Sequence, residues 1–524
     1  MSAKFSLDDD SVVVIVGSGA GGGTLADELT RRGVDVVILE AGKHYTQADF
    51  ENDEWAMFKK ISWLDKRISA GGWHHTETYP NLPAWIVKGV GGSTMHFSGL
   101  ALRFLPHDFR IRSTYGEVRG ANVLDWPISY EELAPYYDIA ERKMGVAGTQ
   151  ASGLPEMPPN NHYKVIAAGA KKVGYTDISR PVASNTRPND GRPACQQIGF
   201  CMQGCKIGAK WSTLYSEIPR ALDTGHAELR PQSMVLKIEH DRSGKVSGVL
   251  YADKDGRQHL QKARVVCVAG NSIESPRLLL NSASSLFPNG LANSSGQVGK
   301  NYMNHTTAAA IAIHKGPVYM YRGFDIAAVI SDEAHLNPDR GFLGGYHLEG
   351  LALHLPFTAA FMKPGGWGRE VTSALEQYDH MSCVWVCGED MPQEENGISL
   401  HPTEKDQYGL PIPIVSKTDH TNDAAMRRHG LASWRKVSEA VGATRVIDMP
   451  PYPASHNMGT NRMSANARDG VVNKWGQAHD VKNLFISDGS QFTSSSAANP
   501  TLTIVALAVR QAEYIAGAMQ RREL

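Results

Sequence analysis

Three glycines, Gly17, Gly19 and Gly22, form a G-x-G-x-x-G motif between two runs of β-branched residues, the second of which ends at Glu40. In a strand–turn–helix–strand unit, the first glycine allows a tight turn, the second lets the backbone approach a pyrophosphate, and the third lets helix and strand pack closely. Free N–H groups at the helix start attract phosphate. Glu40, about 20 residues on, suits a ribose 2′-hydroxyl. The stretch predicts a dinucleotide site without distinguishing FAD from NAD.

A second candidate for chemistry is the C-x5-C-x3-C spacing of Cys195, Cys201 and Cys205, with glycines between them. Three close thiolates can hold a metal ion or an iron–sulfur cluster. Four ligands are usual, so either a fourth ligand comes from elsewhere or the cluster has three irons. A buried, inert trio and a disulfide with one free thiol are the alternatives, and spacing alone leaves them open. Cys383 and Cys387 fall in a strand pattern and are predicted to be core residues.

Length and charge limit the class of protein. A chain of 524 residues is expected to form two or more domains. Its 53 basic and 54 acidic residues give a net charge of −1, which argues against bulk nucleic-acid binding. We find no apolar run of the roughly 18 residues that a membrane span needs. The N-terminus, MSAKFSLDDD, has neither the basic nor the apolar region of a signal peptide.

Other elements are expected to position these residues. Residues 43–84 are predicted to be irregular, residues 85–90 a strand, and residues 229–238 one continuous strand. Gly91, Gly92 and Ser93 fit either a loop against a cofactor or a plain turn. Strand 263–269 leads into a second strand–helix junction at residues 270–272. Asn499 is predicted to cap a long final helix that has Pro500 in its first position.

The sequence predicts an α/β protein with a Rossmann-like nucleotide-binding domain. A second domain is expected to contain a large mixed or antiparallel sheet with helices on one side, one of them near residues 424–441. The predicted boundaries give residues 1–45, 85–105, 212–308 and 465–524 to the first domain, 106–211 to an intervening segment with the cysteine loop at 187–211, and 309–464 to the second domain.

These motifs, in this order, resemble those of the glucose–methanol–choline (GMC) oxidoreductases. The resemblance covers nearly the full length and depends on VGSGAGGGTLADEL, GVGGSTMHFSG, GNSIESPRLLLNS, VGKNYMNH and SHNMGT followed by NLFISDGSQFTSSSAANPTLTIVALA. It implies that the dinucleotide is FAD and that the chain oxidises an alcohol. Within the family, the cysteine region looks most like the flavoprotein subunits of bacterial gluconate, glucose and fructose dehydrogenases.

The resemblance also implies roles for individual residues. His456 matches the catalytic histidine that takes the hydroxyl proton, and Asn499 matches the second catalytic position, where an amide can bind the alcohol oxygen. His96 lies where several members attach FAD covalently, and an uncoupled histidine beside the flavin is the alternative. The implied cofactor contacts are Gly17, Gly19, Gly22, Glu40, Gly91, Gly92, Ser93, His96, Val235, Asp488, Gly489, Asn499 and Pro500.

By the same resemblance, Cys195, Cys201 and Cys205 bind a [3Fe–4S] cluster that takes electrons from the flavin. One departure is the segment after the third cysteine, where this chain has Lys206 and Lys210, as cluster-free relatives with G-C-x-x-G-A-K also do. Cys195 is therefore the residue that distinguishes the two groups.

The implied function is a dehydrogenase that oxidises a sugar, polyol or sugar acid and passes electrons to a cytochrome or quinone. The alternatives are a cluster-free alcohol oxidase or dehydrogenase for a less polar alcohol, favoured by the apolar run LALHLPFTAAF at residues 351–361, and a non-catalytic flavin electron carrier. The resembling dehydrogenases are exported by a small signal-bearing partner. The chain is therefore expected to be periplasmic through such a partner, or else cytoplasmic.

Overall fold

The computed structural model describes residues 4–54, 56, 57, 86–362, 367–449 and 456–524. Most of the stretch predicted to be irregular, residues 43–84, lies outside these residues. The described strands are β1 Val13–Val16, β2 Val36–Glu40, β3 Val146–Ala147, β4 Ile178–Ser179, β5 Val182–Ala183, β6 Ala227–Pro231, β7 Met234–His240, β8 Val246–Ala252, β9 Gln258–Lys262, β10 Val265–Val268, β11 Thr306–His314, β12 Ile326–Ile330, β13 Tyr346–Leu351, β14 Met381–Gly388, β15 Gly397–Lys405, β16 Pro411–Ser416, β17 Ala443–Asp448 and β18 Leu484–Ile486.

The described α-helices are α1 Ala20–Thr30, α2 Ile111–Tyr115, α3 Tyr130–Met144, α4 Asn161–Lys172, α5 Glu217–Asp223, α6 Asn271–Asn281, α7 Leu355–Met362, α8 Arg369–Leu375, α9 Thr421–Ala440 and α10 Thr501–Gln520.

A five-stranded parallel sheet carries the glycine motif. Its strand order is β18-β10-β1-β2-β6, and every pair runs parallel. The apolar residues of β1, β2 and β10 are buried, as expected for a parallel sheet with both faces covered. Ligands of such sheets bind outside the carboxyl ends of the strands. The predicted α/β class with a Rossmann-like sheet is confirmed.

Backbone packing around α1 explains the glycines. Gly17 has φ +98°, and a Cβ there would lie 2.5 Å from the Ala269 carbonyl oxygen. A Cβ on Gly22 would lie 2.1 Å from the Gly17 carbonyl oxygen. Gly21 is tighter, since its Cβ would lie 1.5 Å from the carbonyl oxygen of Ser487. The helix therefore sits directly against the ends of three neighbouring strands.

A second, six-stranded sheet has the order β17-β11-β14-β13-β12-β4, and all its pairs are antiparallel. Side chains of one face, such as Ala310, Leu348 and Val386, pack with α4 and α9 in one apolar cluster. Successive side chains of a strand point to opposite faces. Thr307, Glu349 and the odd-numbered residues of β14 therefore belong to the other face.

Two predicted strands are wrong. Residues 229–238 do not form one strand, because Gln232 has φ +53° and interrupts the extended backbone. The interruption separates β6, which belongs to the parallel sheet, from β7, which forms a three-stranded antiparallel sheet with β8 and β9. The described part of the segment predicted as strand 85–90 has only an isolated bridge, between Gly89 and Lys43. The domain boundaries stay a prediction.

Among the described helices, only the last, α10, is long and apolar enough to cross a membrane, by length and composition. The sequence analysis predicts no membrane-spanning apolar run, so the two differ at this helix. In the fold, 72% of its apolar stretch is buried, and it packs on α1 and α3. We therefore assign α10 as a core helix.

The contact at Gly21 predicts the effect of a methyl group. Gly21→Ala should lower the free energy of unfolding by about 2 kcal/mol or more, because backbone atoms on both sides must move. Gly316→Ala is the matched control, since a Cβ there meets nothing within 4 Å. Urea unfolding midpoints of the two variants measure the difference, and equal midpoints would contradict the packing described for α1.

Candidate active site

A cavity lies between the carboxyl ends of the parallel strands and the antiparallel sheet. Val16, Glu40 and Val268 line it at strand ends of the first sheet, and Glu349 and Trp385 line it on the second. Of the residues predicted to contact a cofactor, Gly17, Gly19, Glu40, Gly92, Ser93, His96, Val235, Asp488, Gly489, Asn499 and Pro500 line this cavity, whereas Gly22 and Gly91 support it from behind.

The phosphate-loop end of the cavity is formed by two glycine turns that face each other. Gly19 precedes the first residue of α1, and a Cβ on it would meet only the Cα of Gly92, at 3.8 Å. Gly92 begins a 3-10 turn and follows Gly91, whose φ is +99°. The Gly91 amide donates to the Ser18 hydroxyl over 3.1 Å. Bare backbone therefore faces the cavity from both sides, as close approach to a phosphate requires.

Glu40 is buried at the end of β2. One carboxylate oxygen accepts from the amide and hydroxyl of Ser18, at 3.1 and 2.6 Å, and the other accepts from the Gly42 amide at 2.8 Å. Burial raises the pKa of Glu40, and these donors act against that increase. The donors fix the carboxylate at the cavity wall, in the orientation that a ribose hydroxyl could meet.

The second strand–helix junction adds another fixed carboxylate. Asp488 accepts from the Asn271 amide and from the Ser490 amide, each at 2.8 Å, and from the Ser275 hydroxyl at 2.5 Å. Asn271 has φ +78°, so the chain turns sharply where β10 passes into α6. Asp488 thereby joins the C-terminal segment to the parallel sheet at the edge of the cavity.

His96 follows the Gly92 turn and is buried in the cavity wall. Burial lowers the pKa of His96 to about 3, and the charge of Lys210 adds to this effect. The Lys210 ammonium donates to the carbonyl oxygens of Met95 and Phe97, at 2.9 and 2.6 Å. The imidazole is therefore neutral, and a buried cation holds the backbone on both sides of it.

His456 and Asn499, predicted from separate motifs, meet at the far end of the cavity. The Asn499 side-chain nitrogen lies 3.3 Å from His456 Nε2. A third histidine, His305, has no role predicted from the sequence. Its Nδ1 atom lies 2.9 Å from the Nδ1 atom of His456. Its other nitrogen, Nε2, lies 3.1 Å from the carbonyl oxygen of Ser495.

This chain of contacts determines where the protons are. A carbonyl oxygen can only accept, so His305 carries its proton on Nε2 and presents a lone pair at Nδ1. His456 must then donate from Nδ1, so its Nε2 at the cavity is unprotonated and accepts from the Asn499 amide. Burial lowers the pKa of His305 to about 4 and holds the pKa of His456 well below its usual value. His456 is thus a neutral acceptor at pH 7.

The predicted helix cap is wrong. Helix α10 begins at Thr501 with Pro500 as its cap residue, and no side chain makes a capping hydrogen bond. Asn499 lies one residue earlier and points at His456, and its Oδ1 is buried without a hydrogen-bond partner among the described residues. Its side chain is therefore available to a ligand and is not required by the helix.

Cys387 is buried as predicted, but it belongs to the site. Its sulfur lies 3.0 Å from His305 Nδ1 and 3.9 Å from His456 Nδ1. Burial raises the pKa of this thiol well above its usual value, and Glu349 adds to the increase. Glu349, Trp385 and Thr307 line the same wall. The alternation of side chains along each strand could have indicated that these residues share a face of the sheet. That they lie next to one another depends on the register between the strands, which the sequence does not show.

The sulfur of Cys387 and the Nδ1 atoms of His305 and His456 lie within 4.8 Å of one another, which is the reach of a shared metal ion. The 2.9 Å between the two nitrogens is a hydrogen-bond distance. The tautomers given above account for that spacing, so we assign the three side chains as a hydrogen-bonded set.

The predicted metal ligands Cys195, Cys201 and Cys205 lie in one loop beside the cavity. The loop turns through left-handed residues at Gly199, Phe200 and Gly204. None of the six cysteines, all in the described residues, forms a disulfide. Cys195 and Cys205 accept backbone N–H groups, from Gln197 at 3.3 Å and Lys210 at 3.4 Å. Met202, next to Cys201, lines the cavity.

Comparisons with known proteins identify the family of this chain. Family models described as GMC oxidoreductase match residues 68–307 and 392–508. The chain is 35% identical to 2-methyl-1,2-propanediol dehydrogenase of Mycolicibacterium austroafricanum, over 97% of this chain and 95% of that protein. It is 30% identical to the fructose dehydrogenase large subunit of Gluconobacter japonicus, over 96% and 97%. A formate oxidase structure from Aspergillus oryzae has the same fold, with a TM-score of 0.68 at 15% identity, over 98% of this chain and 100% of that one.

Two family models that together match most of the chain, and relatives that it covers almost completely, lead to one conclusion. The chain belongs to the GMC oxidoreductase family and is an FAD-binding enzyme that acts on alcohol groups.

Proposed function

We propose that this chain is a dehydrogenase that oxidises one carbinol carbon of a sugar, polyol or sugar acid. His456 accepts the hydroxyl proton and Asn499 holds the hydroxyl oxygen. The observation that carries the proposal is the meeting of His456 and Asn499 in the cavity wall, where His456 Nε2 lies 3.3 Å from the Asn499 side-chain nitrogen. A protein that only carried electrons through a bound flavin would need neither side chain.

The residues around the cavity fit FAD. The bare backbone at Gly19 and Gly92 suits its pyrophosphate, and the fixed carboxylate of Glu40 suits the adenosine ribose. Val235, Ser93, Asp488, Gly489 and Pro500 line the remainder. When bound, FAD supplies the hydride acceptor for the carbinol carbon at N5 of its ring.

The protein's own contribution is to hold and accept a proton. Because His456 is neutral, Nε2 can take the proton of a hydroxyl that the Asn499 amide orients by donating to its oxygen. The resulting imidazolium keeps its Nδ1–H bond to His305, whose lone pair stabilises the new charge. His305 and Asn499 are buried beside this proton, whereas His456 is partly buried and borders the cavity.

We also propose that Cys195, Cys201 and Cys205 hold a [3Fe–4S] cluster. The three sulfurs are not among the described groups that converge within 4.8 Å, so one shared metal ion does not fit them. A multi-iron cluster spaces its thiolates more widely, and N–H bonds to the sulfurs of Cys195 and Cys205 suit such ligands. When bound, the cluster would carry electrons from the flavin to a cytochrome or quinone partner.

A second candidate, a cluster-free enzyme for a less polar alcohol, has its own support. Leu351, Leu353 and Trp385 make much of the substrate-side wall apolar. Iron content separates this candidate from the first. We also propose that the chain is exported together with a signal-bearing partner subunit. Co-purification of the two proteins from the periplasm tests this.

His456→Ala should slow anaerobic flavin reduction by roughly 10²-fold or more, since the base is removed. Asn499→Ala should slow it by about 10²-fold, as loss of one preorganised donor does. Any loss of stability should be limited to its contacts with His456 and Glu349, because Asn499 makes no helix-capping bond. His479→Ala, at a histidine outside the cavity, is the control. Stopped-flow bleaching with polyols measures the rates, and unchanged reduction in His456→Ala would remove His456 from the mechanism.

The role of His305 predicts a contrast between two substitutions. His305→Leu should lower kcat by about 10²-fold, because nothing then keeps the proton of His456 on Nδ1. His305→Gln should keep most of the activity, since an amide can donate to Ser495 and accept from His456. Flavin content and unfolding temperature serve as controls, and equal rates in the two variants would show that the tautomer does not matter.

Purified under anaerobic conditions, the protein should contain about three irons and about four acid-labile sulfides per chain. Cys195→Ala should lose the cluster, its EPR signal and electron transfer to an external acceptor while it keeps flavin reduction by substrate. Cys383→Ala, at a buried cysteine of β14, is the matched control. Iron-free wild-type protein would favour the cluster-free candidate.

Acid precipitation distinguishes the two alternatives for His96, a covalent bond to the flavin and an uncoupled histidine beside it. Flavin that stays with the pellet, and that His96→Ala releases to the supernatant, supports the bond. Flavin found wholly in the supernatant of the wild-type protein excludes it.

A further inference from the structure

Glu349 is a buried carboxyl group in the wall of the cavity that the mechanism above does not use. It lies in β13 and pairs with Trp385 of β14, on the face of the sheet turned away from the helices. Only 5% of the residue is exposed, and its Oε1 has no hydrogen-bond partner among the described residues.

The surroundings of this carboxyl satisfy it only in part. The side chains of Asn499 and Cys387 hydrogen-bond to it, Oε1 is left without a partner among the described residues, and no lysine or arginine of the described chain is among the groups that shift its pKa. Burial raises that pKa to about 7. Nearby walls are apolar, including Leu351 and Leu353. A carboxyl kept in such a place is costly unless a ligand supplies the missing partner.

The contact with Asn499 fixes where that partner must be. The Asn499 amide lies beside both His456 Nε2 and the Glu349 carboxyl. A hydroxyl held for proton transfer at Asn499 therefore has Glu349 as its immediate neighbour. A second donor of the same substrate reaches the carboxyl only from a carbon close to the one that is oxidised.

We propose that Glu349 binds the hydroxyl next to the one being oxidised, so that the enzyme selects 1,2-diol units. This inference rests on the proposed function and names its substrate class. A hydroxyl suits the site in either protonation state, because it donates to a carboxylate and accepts from a carboxylic acid. An ammonium group would be satisfied only by the ionised form.

The test compares alcohols that differ by one hydroxyl. Wild-type enzyme should reduce its flavin with 1,2-propanediol at a kcat/KM about 10²-fold above that with 1-propanol or 2-propanol. Glu349→Leu should lose about 10- to 10²-fold with the diol and less than about threefold with the monohydric alcohols, as expected for one hydrogen bond to an ionisable group. Glu349→Gln, which keeps the shape, should fall between.

The matched control is Glu389→Gln. Glu389 is also a buried carboxyl, next to β14, and it accepts from the Tyr115 hydroxyl away from the cavity. This substitution should leave the ratio of diol to monohydric rates unchanged. Flavin content and unfolding temperature show whether each variant is folded.

A binding measurement makes the test independent of turnover. Pinacol, a vicinal diol that cannot be oxidised at either carbon, should perturb the bound flavin spectrum with a Kd about 10-fold weaker in Glu349→Leu than in wild type. The Kd of tert-butanol should not change between the two proteins.

Three results would overturn the assignment of Glu349. They are equal losses with diol and monohydric alcohols, a wild-type preference for monohydric alcohols, and a preference for 1-amino-2-propanol over the diol that Glu349→Leu abolishes. Failure of every alcohol to reduce the flavin would instead contradict the proposed function, and the pinacol measurement would still decide the role of Glu349.

Discussion

One carbonyl oxygen, that of Ser495, determines the arrangement of protons in the site. It fixes the proton of His305, and His305 in turn fixes that of His456. The carbonyl can do this because hydroxyls hold the short segment around it. Ser494 accepts from Trp126 and donates to the carbonyl of Asp108, whereas Ser495 exchanges hydrogen bonds with the backbone of Asp390. Ser494 and Ser495, which precede α10, thus hydrogen-bond to segments that are distant from them in the sequence.

The choice of a second imidazole, where many enzymes place a carboxylate, follows from burial. A carboxylate beside His456 would favour its charged form and raise its pKa, so that the base would be protonated at rest. His305 is neutral and buried, so it orients the ring without adding charge. Cys387, with its raised pKa, is neutral as well. The side chains that contact His456 directly, His305, Cys387 and Asn499, are therefore uncharged dipoles, and the carboxyl of Glu349 is not among the groups that shift the pKa of His456.

Sequence alone predicted the parts of this site that are local in the chain. Gly17, Gly19 and Glu40 belong to one continuous strand–helix–strand unit, so spacing was enough to place them. Glu349 and Cys387 lie in β13 and β14, and His305 directly precedes β11. The three meet because the register pairs Glu349 with Trp385 and Thr307 with Cys387. Alternation in β14 predicts that Cys387 is buried, but it cannot say that two imidazoles lie beside it. Register is a tertiary property that a single sequence does not contain.

The same distinction applies to Asn499 and to the cysteine loop. Asn before Pro is a strong capping signal, yet the helix starts one residue later and the amide serves the cavity. Cluster-free relatives share Lys210, which by resemblance favours the absence of a cluster. In the fold, however, its ammonium donates to the carbonyl oxygens on either side of His96, a contact that involves none of the three cysteines. This role is the same with or without a cluster, so Lys210 does not argue against one, and Cys195 remains the residue that distinguishes the two candidates.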